Sequence, residues 1–381
     1  MTTTQTQQSD KPAPPPAPGE PLLVAERLTK HFPIMAGFPF KRKVGAVQAV
    51  DGVDLTVHAG ESFGLVGESG CGKSTTGRLL TRLLEPTGGR IAYRGRDITH
   101  ADRRGLAPVR SEIQMIFQDP YSSLNPRQTV GTIISGPMEI NGIHPPGGRE
   151  ARVRELLETV GLNPEHYNRF PHEFSGGQRQ RIGIARALAL EPKLIVADEP
   201  VSALDVSIQA QVVNLLQDLQ RDLGIAFVFI AHDLAVVRHF SQRVAVMYLG
   251  KVVEVGDRES IYTRPRHPYT HALLSAVPEA ALADDSDSGQ DAAQERIRLA
   301  GDVPSPVDPP SGCRFRTRCW KAQDKCAREE PPLARVEGNA EGHLSACHFP
   351  EEPTTARREA VILDPALLAA ESGGGAAAGT E

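Results

Sequence analysis

The part of this sequence best suited to chemistry is a glycine-rich run that ends in lysine and serine. From Gly67 to Ser74 the chain reads Gly-Glu-Ser-Gly-Cys-Gly-Lys-Ser, a full match to the phosphate-binding loop pattern. Glycines let backbone N–H groups surround a triphosphate, and the helix expected to follow adds its positive end. Lys73 would contact the terminal phosphates and Ser74 would ligate Mg²⁺, so the sequence predicts a nucleoside triphosphate site. The candidate loop residues are Gly67, Glu68, Ser69, Gly70, Cys71, Gly72, Lys73, Ser74 and Thr75.

Two acidic residues follow a short apolar run further along the chain. The run Leu-Ile-Val-Ala ends at Asp198, and Glu199 comes next. An aspartate at the end of a strand that faces the phosphate loop can hold Mg²⁺ through water. A carboxylate one residue later can polarise the water that attacks the γ-phosphate. We therefore expect Asp198 to hold the metal and Glu199 to act as the catalytic base.

Two other predicted strands also end in polar side chains. His232 follows the apolar run 225–231, and Gln118 follows the predicted strand Ile113–Phe117. Either residue alone would be an ordinary strand-end residue. Beside a phosphate loop, we expect His232 to contact phosphate and Gln118 to contact the metal or the attacking water.

A second anion-binding pattern opens a strongly helical stretch. Ser175, Gly176, Gly177 and Gln178 combine a helix N-cap with two glycines that expose backbone N–H groups. There is no neighbouring lysine or magnesium ligand. The segment therefore resembles half of a site, although any capped helix would begin in a similar way.

Alternating strand-like and helix-like runs from Leu22 to Gly256 must position these residues. Such alternation is typical of an α/β fold with a parallel sheet. Strand signals vanish between 119 and 190, which predicts a helical subdomain inserted into the sheet domain. The predicted strands are Leu22–Arg27, Val53–Val57, Ser62–Val66, Ile113–Phe117, Lys193–Ala197, Ile225–Ile230, Arg243–Tyr248 and Lys251–Val255. The predicted helices are Lys73–Leu84, Ala151–Val160, Gly176–Leu190, Ser207–Asp222 and Leu234–Phe240.

Composition restricts the class of protein. The 381 residues carry a formal net charge of −5, which argues against binding to nucleic acid through phosphate contacts. No apolar run approaches the ~20 residues of a membrane span, and the Pro-rich N-terminus is unlike a secretory signal. We therefore expect a cytoplasmic protein whose membrane role, if any, comes through a partner.

The ordered set of motifs resembles the ATPase subunit of an ABC transporter. The set consists of the phosphate loop, Gln118, Phe174–Gln178, Asp198–Pro200, Ser202–Asp205 and His232. The resemblance implies a P-loop NTPase ABC ATPase domain with an inserted helical subdomain. It also implies that Phe32 stacks on adenine and that two subunits pair head to tail, so that Ser175–Gln178 of one closes the ATP site of another. Asp205 would then lie at the dimer interface.

Several longer segments are similar to the dipeptide/oligopeptide importer branch of that family. They are Gly67–Thr75, Phe117–Pro126, Asp198–Ser207 and His267–Thr270, followed by a tail that contains cysteines. The implied partners are a paralogous ATPase subunit or a second copy, two transmembrane permease subunits and an extracytoplasmic peptide-binding protein, with the chain peripheral at the cytoplasmic face of the membrane. Nickel or glutathione transport is the nearest alternative. A soluble ABC ATPase acting on ribosomes or DNA, or a redox-sensing interaction protein, is less consistent with the motifs.

Domain boundaries follow from changes in composition. We predict a disordered tail over 1–20, an ABC ATPase domain over 21–264 with the helical subdomain at 119–190, a C-terminal extension over 265–350, and a mostly disordered tail over 351–381.

Four cysteines cluster in the predicted extension. Cys313, Cys319, Cys326 and Cys347 suit either a [4Fe–4S] cluster or tetrahedral Zn²⁺, and both the spacing and the resemblance favour the iron–sulfur interpretation. Four unligated thiols are the remaining alternative. Basic residues surround the first two cysteines, and we expect them to offset the negative charge of a thiolate cluster; binding of anionic lipid headgroups or of a partner is the alternative. The basic residues are Arg314, Arg316, Arg318 and Lys321.

Overall fold

A computed structural model describes residues 19–37, 40, 42–202, 204–277 and 297–352. The predicted terminal tails lie almost entirely outside these residues, and so do residues 284–291, an acidic stretch that we interpret as a linker. Among the described residues, no helix combines the length and apolar character that a membrane crossing requires.

The described chain contains twelve strands, eleven α-helices and two short 3₁₀ turns. The strands are β1 (Pro21–Ala36), β2 (Arg42–His58), β3 (Ser62–Val66), β4 (Gly88–Tyr93), β5 (Arg96–Asp97), β6 (Ile113–Ile116), β7 (Leu194–Asp198), β8 (Ala226–Ala231), β9 (Arg243–Tyr248), β10 (Lys251–Asp257), β11 (Ala334–Arg335) and β12 (Leu344–Ser345). The helices are α1 (Lys73–Leu80), α2 (Arg103–Glu112), α3 (Pro120–Ser123), α4 (Val130–Ile140), α5 (Arg149–Thr159), α6 (Gly176–Leu188), α7 (Val206–Leu223), α8 (Leu234–Phe240), α9 (Arg258–Thr263), α10 (Pro268–Ser275) and α11 (Asp324–Arg328). The 3₁₀ turns are Pro164–Asn168 and Pro171–Glu173.

The larger sheet has the order β11-β12-β10-β9-β3-β8-β7-β6. From β9 to β6 its strands are parallel, which confirms the α/β fold predicted from sequence. These strands are buried on both faces, and successive residues alternate between two apolar clusters. Leu65 and Val196 belong to one cluster, whereas their chain neighbours Val66 and Ala197 belong to the other.

A smaller antiparallel sheet corrects the expectation that all of these strands are parallel. Its order is β2-β1-β4-β5, and it contains both predicted strands Leu22–Arg27 and Val53–Val57. The pairing of β10 with β9 is also antiparallel. Antiparallel neighbours need only a short connection, so the alternation rule for βαβ units does not apply to them. Strand β4 escaped prediction because glycine and arginine occupy its first half, and β5 because it consists only of Arg96 and Asp97.

Helices α3 to α6 and both 3₁₀ turns lie between β6 and β7, where the sequence predicts a helical subdomain. Their shared apolar interior includes Ile134, Leu157 and Ile182, each with 0% exposure. The insert begins directly after Gln118, because Asp119 caps α3 by accepting a hydrogen bond from the Tyr121 N–H at 2.7 Å.

Residues 297–352 pack against the larger sheet and continue it. Strand β12 pairs with β10, with Ser345 opposite Glu254. Glu254 is fully buried and accepts a hydrogen bond from His343 Nε2 at 2.8 Å. Phe315 is 1% exposed and lies against Tyr248 of β9. This C-terminal segment is therefore joined to the sheet by backbone, polar and aromatic contacts.

Candidate active site

The parallel strands β3, β8, β7 and β6 end at one edge of the sheet, and each delivers a sequence-predicted residue there. The phosphate loop follows β3, His232 follows β8, Asp198 and Glu199 close β7, and Gln118 lies beyond β6. Crevices at the carboxyl ends of parallel strands are where ligands bind in open α/β sheets. The topology therefore unites residues that are up to 165 positions apart, from Gly67 to His232.

The phosphate loop wraps around the start of α1. Lys73 Nζ donates to the carbonyl oxygens of Gly67 at 2.8 Å and Glu68 at 3.0 Å, and the lysine is 4% exposed. Gly72 precedes α1 with φ 107°, and no side chain caps the helix. The N–H groups at this helix end are thus available to an anion. The arrangement fits a bound phosphate.

At two positions of the loop, neighbouring backbone atoms leave no room for a side chain, so only glycine fits. A Cβ at Gly67 would lie 2.1 Å from the Met247 carbonyl oxygen, and one at Gly72 would lie 2.0 Å from the Ala49 carbonyl oxygen. Both residues also have positive φ angles. The loop is therefore held between β9 on one side and β2 on the other.

Ser74 and Asp198 form the candidate magnesium site. Ser74 Oγ donates to Asp198 Oδ1 at 2.7 Å, and Asp198 is 1% exposed. Burial raises the pKa of Asp198 above its ordinary value, although the Ser74 hydrogen bond and the charge of Arg78 oppose the shift. A hydroxyl and a buried carboxylate are hard oxygen donors of the kind that Mg²⁺ prefers. These two residues fit that ion.

Glu199 is the point at which the other polar residues meet. Its Oε2 accepts a hydrogen bond from Gln118 Nε2 at 2.9 Å and lies 3.5 Å from His232 Nδ1. Its Oε1 lies 3.9 Å from Lys73 Nζ. The Glu199 carboxylate thus contacts residues that follow three other strands. Its position therefore depends on all of them.

The backbone of Glu199 is strained. Its φ of 43° lies in the left-handed region, which usually costs a non-glycine residue about 1–3 kcal/mol. Two hydrogen bonds hold the conformation: the Glu199 N–H donates to Ile230 O at 2.9 Å, and Ser202 Oγ donates to Glu199 O at 3.1 Å. The strain occurs where the side chain must turn from the sheet edge towards the phosphate loop.

The Ser175–Gln178 segment forms a capped helix start. Ser175 Oγ accepts a hydrogen bond from the Gln178 N–H at 3.3 Å, and Gln178 Oε1 accepts one from the Ser175 N–H at 3.0 Å. Gly177 is buried so closely against α7 that a Cβ would lie 2.5 Å from Ile208 Cγ2. Within the described part of the chain, no hydrogen bond or ion pair joins this segment to the phosphate loop. The structure therefore does not bring the two predicted half-sites together within one protomer.

Phe32 and Asp205 lie outside the cluster of strand-end residues. Phe32 is on β1 opposite Val47, is 37% exposed, and has the Lys30 ammonium 5.2 Å from its ring centroid. Asp205 is exposed and precedes α7, but its side chain makes no capping hydrogen bond. Both side chains are accessible to a ligand or a second protein.

The prediction of an iron–sulfur cluster is wrong, and the zinc alternative fails with it. No group of three or more His, Cys, Asp or Glu side chains among the described residues has an arrangement able to hold a metal ion. The four cysteines do line one pocket, but burial raises the pKa of Cys347 to about 11 and that of Cys319 to about 12. In the metal-free protein, burial therefore favours the neutral thiols.

The sequence predicts that the basic residues near the cysteines offset the charge of thiolates. Three of them pair with carboxylates instead. Arg314 pairs with Asp51 of β2, Arg318 with Glu68 of the phosphate loop at 2.8 Å, and Lys321 with Glu351 at 3.2 Å. The contact of Arg318 with the loop was missed by sequence reasoning. So was Tyr269, whose hydroxyl accepts a hydrogen bond from the Glu68 N–H at 2.9 Å. The charge of an arginine does not by itself indicate which carboxylate it pairs with, least of all one 250 positions away in the sequence.

Comparisons with known proteins agree with this site. Residues 50–202 match the family described as ABC transporter, and residues 253–326 match the oligopeptide/dipeptide transporter C-terminal region. The chain is similar to a probable peptide ABC transporter ATP-binding protein of Sinorhizobium fredii, with 51% identity over 91% of this chain and 94% of that protein. It is also 51% identical to the oligopeptide transport ATP-binding protein AppF of Bacillus subtilis, over 87% of this chain and 98% of that one.

Solved structures show the same fold. A dimeric ATP-binding cassette in a post-hydrolysis state with ADP and phosphate has a TM-score of 0.55 and 29% identity, over 62% of this chain and 98% of its own. A subunit of the cbiONQ ABC transporter complex of Clostridium perfringens has a TM-score of 0.55 and 27% identity, over 64% of this chain and 91% of its own. On its motifs, its sheet-edge site and these relatives, the chain belongs to the ABC transporter family, among the ATP-binding subunits of the oligopeptide/dipeptide branch.

Proposed function

We propose that this chain is the ATP-hydrolysing subunit that powers an ABC importer of dipeptides or oligopeptides. The observation that carries the proposal is the meeting of Glu199 with Lys73, Gln118 and His232 beside the Ser74–Asp198 pair. The relatives named as peptide, oligopeptide and dipeptide transport ATP-binding proteins support the transported class.

In the proposed mechanism, the phosphate loop binds ATP and its residues hold the triphosphate. Lys73, which donates to the carbonyls of Gly67 and Glu68, would contact the terminal phosphates instead, and Ser74 and Asp198 are the residues that would hold Mg²⁺. The ion would offset the charge that develops on the phosphate oxygens. Glu199 accepts the proton of the attacking water, and Gln118 and His232 orient that carboxylate and the γ-phosphate.

The catalytic site is completed by a second subunit in this proposal. Ser175–Gln178 has an anion-binding helix end but no lysine, and within the described residues no hydrogen bond or ion pair joins it to its own phosphate loop. Head-to-tail pairing would place this segment on the γ-phosphate of the neighbouring subunit, with Asp205 at the interface. Phe32, half-exposed on the strand pair beside Gly72, would stack on adenine.

The remaining parts of the proposal are the domain boundaries of the chain and its partners in the transporter. The domains in this proposal are the ATPase domain over 21–264 and the C-terminal extension over 265–350. We propose that the partner subunit is a paralogue or a second copy, that two permeases hold the pair at the cytoplasmic face of the membrane, and that an extracytoplasmic peptide-binding protein delivers substrate.

Reconstitution tests the proposal directly. The full complex in proteoliposomes, with labelled tripeptide and the binding protein on the outside and ATP on the inside, should accumulate peptide only when both ATP and Mg²⁺ are present. Glu199→Gln in this chain should abolish accumulation, whereas Glu158→Gln, an exposed residue on α5, should not. Uptake that is unchanged by Glu199→Gln would contradict the proposal.

A further inference from the structure

Glu68, the second residue of the phosphate loop, is held on both its backbone and its side chain. Its N–H donates to the Tyr269 hydroxyl at 2.9 Å, and its Oε2 accepts a hydrogen bond from Arg318 Nη1 at 2.8 Å. Tyr269 lies on α10 and Arg318 in the C-terminal segment, 201 and 250 residues further along the chain. Both partners of Glu68 therefore follow β10 in the chain, after all of the ATPase motifs.

An aromatic cluster fixes the position of the tyrosine. The rings of Tyr248, Tyr269 and Phe315 lie 4.7–5.3 Å apart, and none of the three side chains is more than 1% exposed. Burial raises the pKa of Tyr269 well above its ordinary value, so the hydroxyl stays neutral. Because Phe315 belongs to the C-terminal segment, that segment sets the place of the hydroxyl that Glu68 contacts.

A second contact ties the same segment to the other side of the loop. Arg314 donates to Leu249 O at 2.5 Å and to Gln48 Oε1 at 2.6 Å, and it pairs with Asp51. The next residue, Gly250, donates its N–H to Cys71 O at 2.8 Å. The segment thus contacts the strands that flank the loop as well as the loop itself.

A displacement of Glu68 would also change the position of Lys73, because the Glu68 carbonyl oxygen is one of the two acceptors that hold the lysine ammonium. The Arg318 side chain is 9% exposed and that of Glu68 is 25% exposed, so the pair is only partly screened by water. We propose that Arg318 and Tyr269 are positioning residues through which the C-terminal segment presets the phosphate loop for ATP. This inference rests on the ATP site proposed above.

Affinity for ATP in the purified full-length chain tests the inference. We expect Arg318→Met to raise the Kd for Mg-ATP by about three- to tenfold and Tyr269→Phe to raise it by a similar factor, because a preset loop loses less freedom on binding. The matched control is Arg328→Met, a residue of the same segment whose side chain is 74% exposed. Arg318→Lys, which keeps the charge and the fold, should recover part of the affinity.

A double-mutant cycle separates positioning from general destabilisation. If Arg318 acts through Glu68, Glu68→Gln combined with Arg318→Met should bind ATP no more weakly than the worse single variant. Fully additive effects, or an Arg318→Met Kd within twofold of the Arg328→Met control, would overturn the inference. Lys73→Ala serves as the reference for the ATP site itself. Unchanged ATP binding by Lys73→Ala would contradict the proposed function. If Lys73→Ala loses ATP binding but Arg318→Met binds ATP normally, this inference alone is rejected.

Discussion

Gln118 Nε2 donates a hydrogen bond to Glu199 Oε2 at 2.9 Å, which links the entrance of the helical subdomain to the candidate catalytic carboxylate. Gln118 directly precedes Asp119, the cap of α3, so we expect a shift of the helices to move this amide. In the function proposed above, this contact is the route by which a permease would control hydrolysis through the helical subdomain.

Removal of that amide should slow ATP hydrolysis by the assembled transporter. We expect Gln118→Ala to lower the ATPase rate of the assembled transporter about tenfold or more, because Glu199 loses a hydrogen bond that orients it. ATP affinity should change less than threefold. Gln114→Ala on β6, the strand that precedes Gln118, is the control, since Gln114 donates to Arg110 O and not to the site. Equal rates in the two variants would exclude a role for the amide.

Loss of the carboxylate at 199 should separate binding from chemistry. We expect Glu199→Gln to bind ATP normally but to hydrolyse it at least about 100-fold more slowly, because an amide cannot accept the proton of the attacking water. The variant should also accumulate as an ATP-bound dimer in sedimentation experiments. Turnover near that of the wild type would remove Glu199 from its proposed role.

Asp198 should show a conflict between stability and function. Its pKa is raised by burial, so between the unfolded value near 3.8 and the higher folded value the native state binds more protons, and its contribution to stability falls as pH rises. Asp198→Asn keeps an acceptor for Ser74 but carries no charge. We expect this variant to be at least as stable as the wild type at pH 7 without nucleotide, and to lose about 100-fold or more of its Mg-dependent ATPase activity.

Thermal unfolding between pH 4 and pH 8 measures the first effect. The stability of Asp198→Asn relative to the wild type should grow as pH rises through that window. A variant that is less stable at pH 7 than at pH 4, relative to the wild type, would show that the ionised carboxylate stabilises the nucleotide-free fold.

The cap of α6 provides a test of the half-site. Ser175→Ala should cost about 1 kcal/mol of stability through the lost cap and should also lower ATP hydrolysis about tenfold or more. Thr129→Ala removes an equivalent cap, in which Thr129 Oγ1 accepts a hydrogen bond from the Thr132 N–H at 3.3 Å. If both variants lose stability and only Ser175→Ala loses activity, Ser175 acts on nucleotide. Equal activities would reduce Ser175 to a structural cap.

Much of this site could be predicted because its residues follow strands of strong apolar pattern. Strands β3 and β9 and helix α8 have the predicted bounds, and the parallel sheet then brings Lys73, Asp198 and Glu199 to one edge. Local sequence specifies these elements, and parallel topology supplies the rest.

What sequence could not supply are contacts that depend on tertiary placement. The ion pair of Glu68 with Arg318 spans 250 residues, and the arginine equally fits a role in offsetting thiolate charge. The cysteine spacing predicted a metal centre, but spacing does not specify whether four thiols converge in a ligating geometry. The antiparallel sheet was missed for a related reason, since β4 has too irregular a pattern to indicate its pairing with β1.

The most direct test of the account is a cryo-EM map of the assembled transporter that carries Glu199→Gln and is loaded with Mg-ATP. We predict that Ser175 and Gly177 of one ATPase subunit lie at hydrogen-bonding distance, about 3 Å, from the γ-phosphate held by Lys73 of the other. A map in which ATP is bound but this helix end faces solvent, away from any triphosphate, would contradict the account.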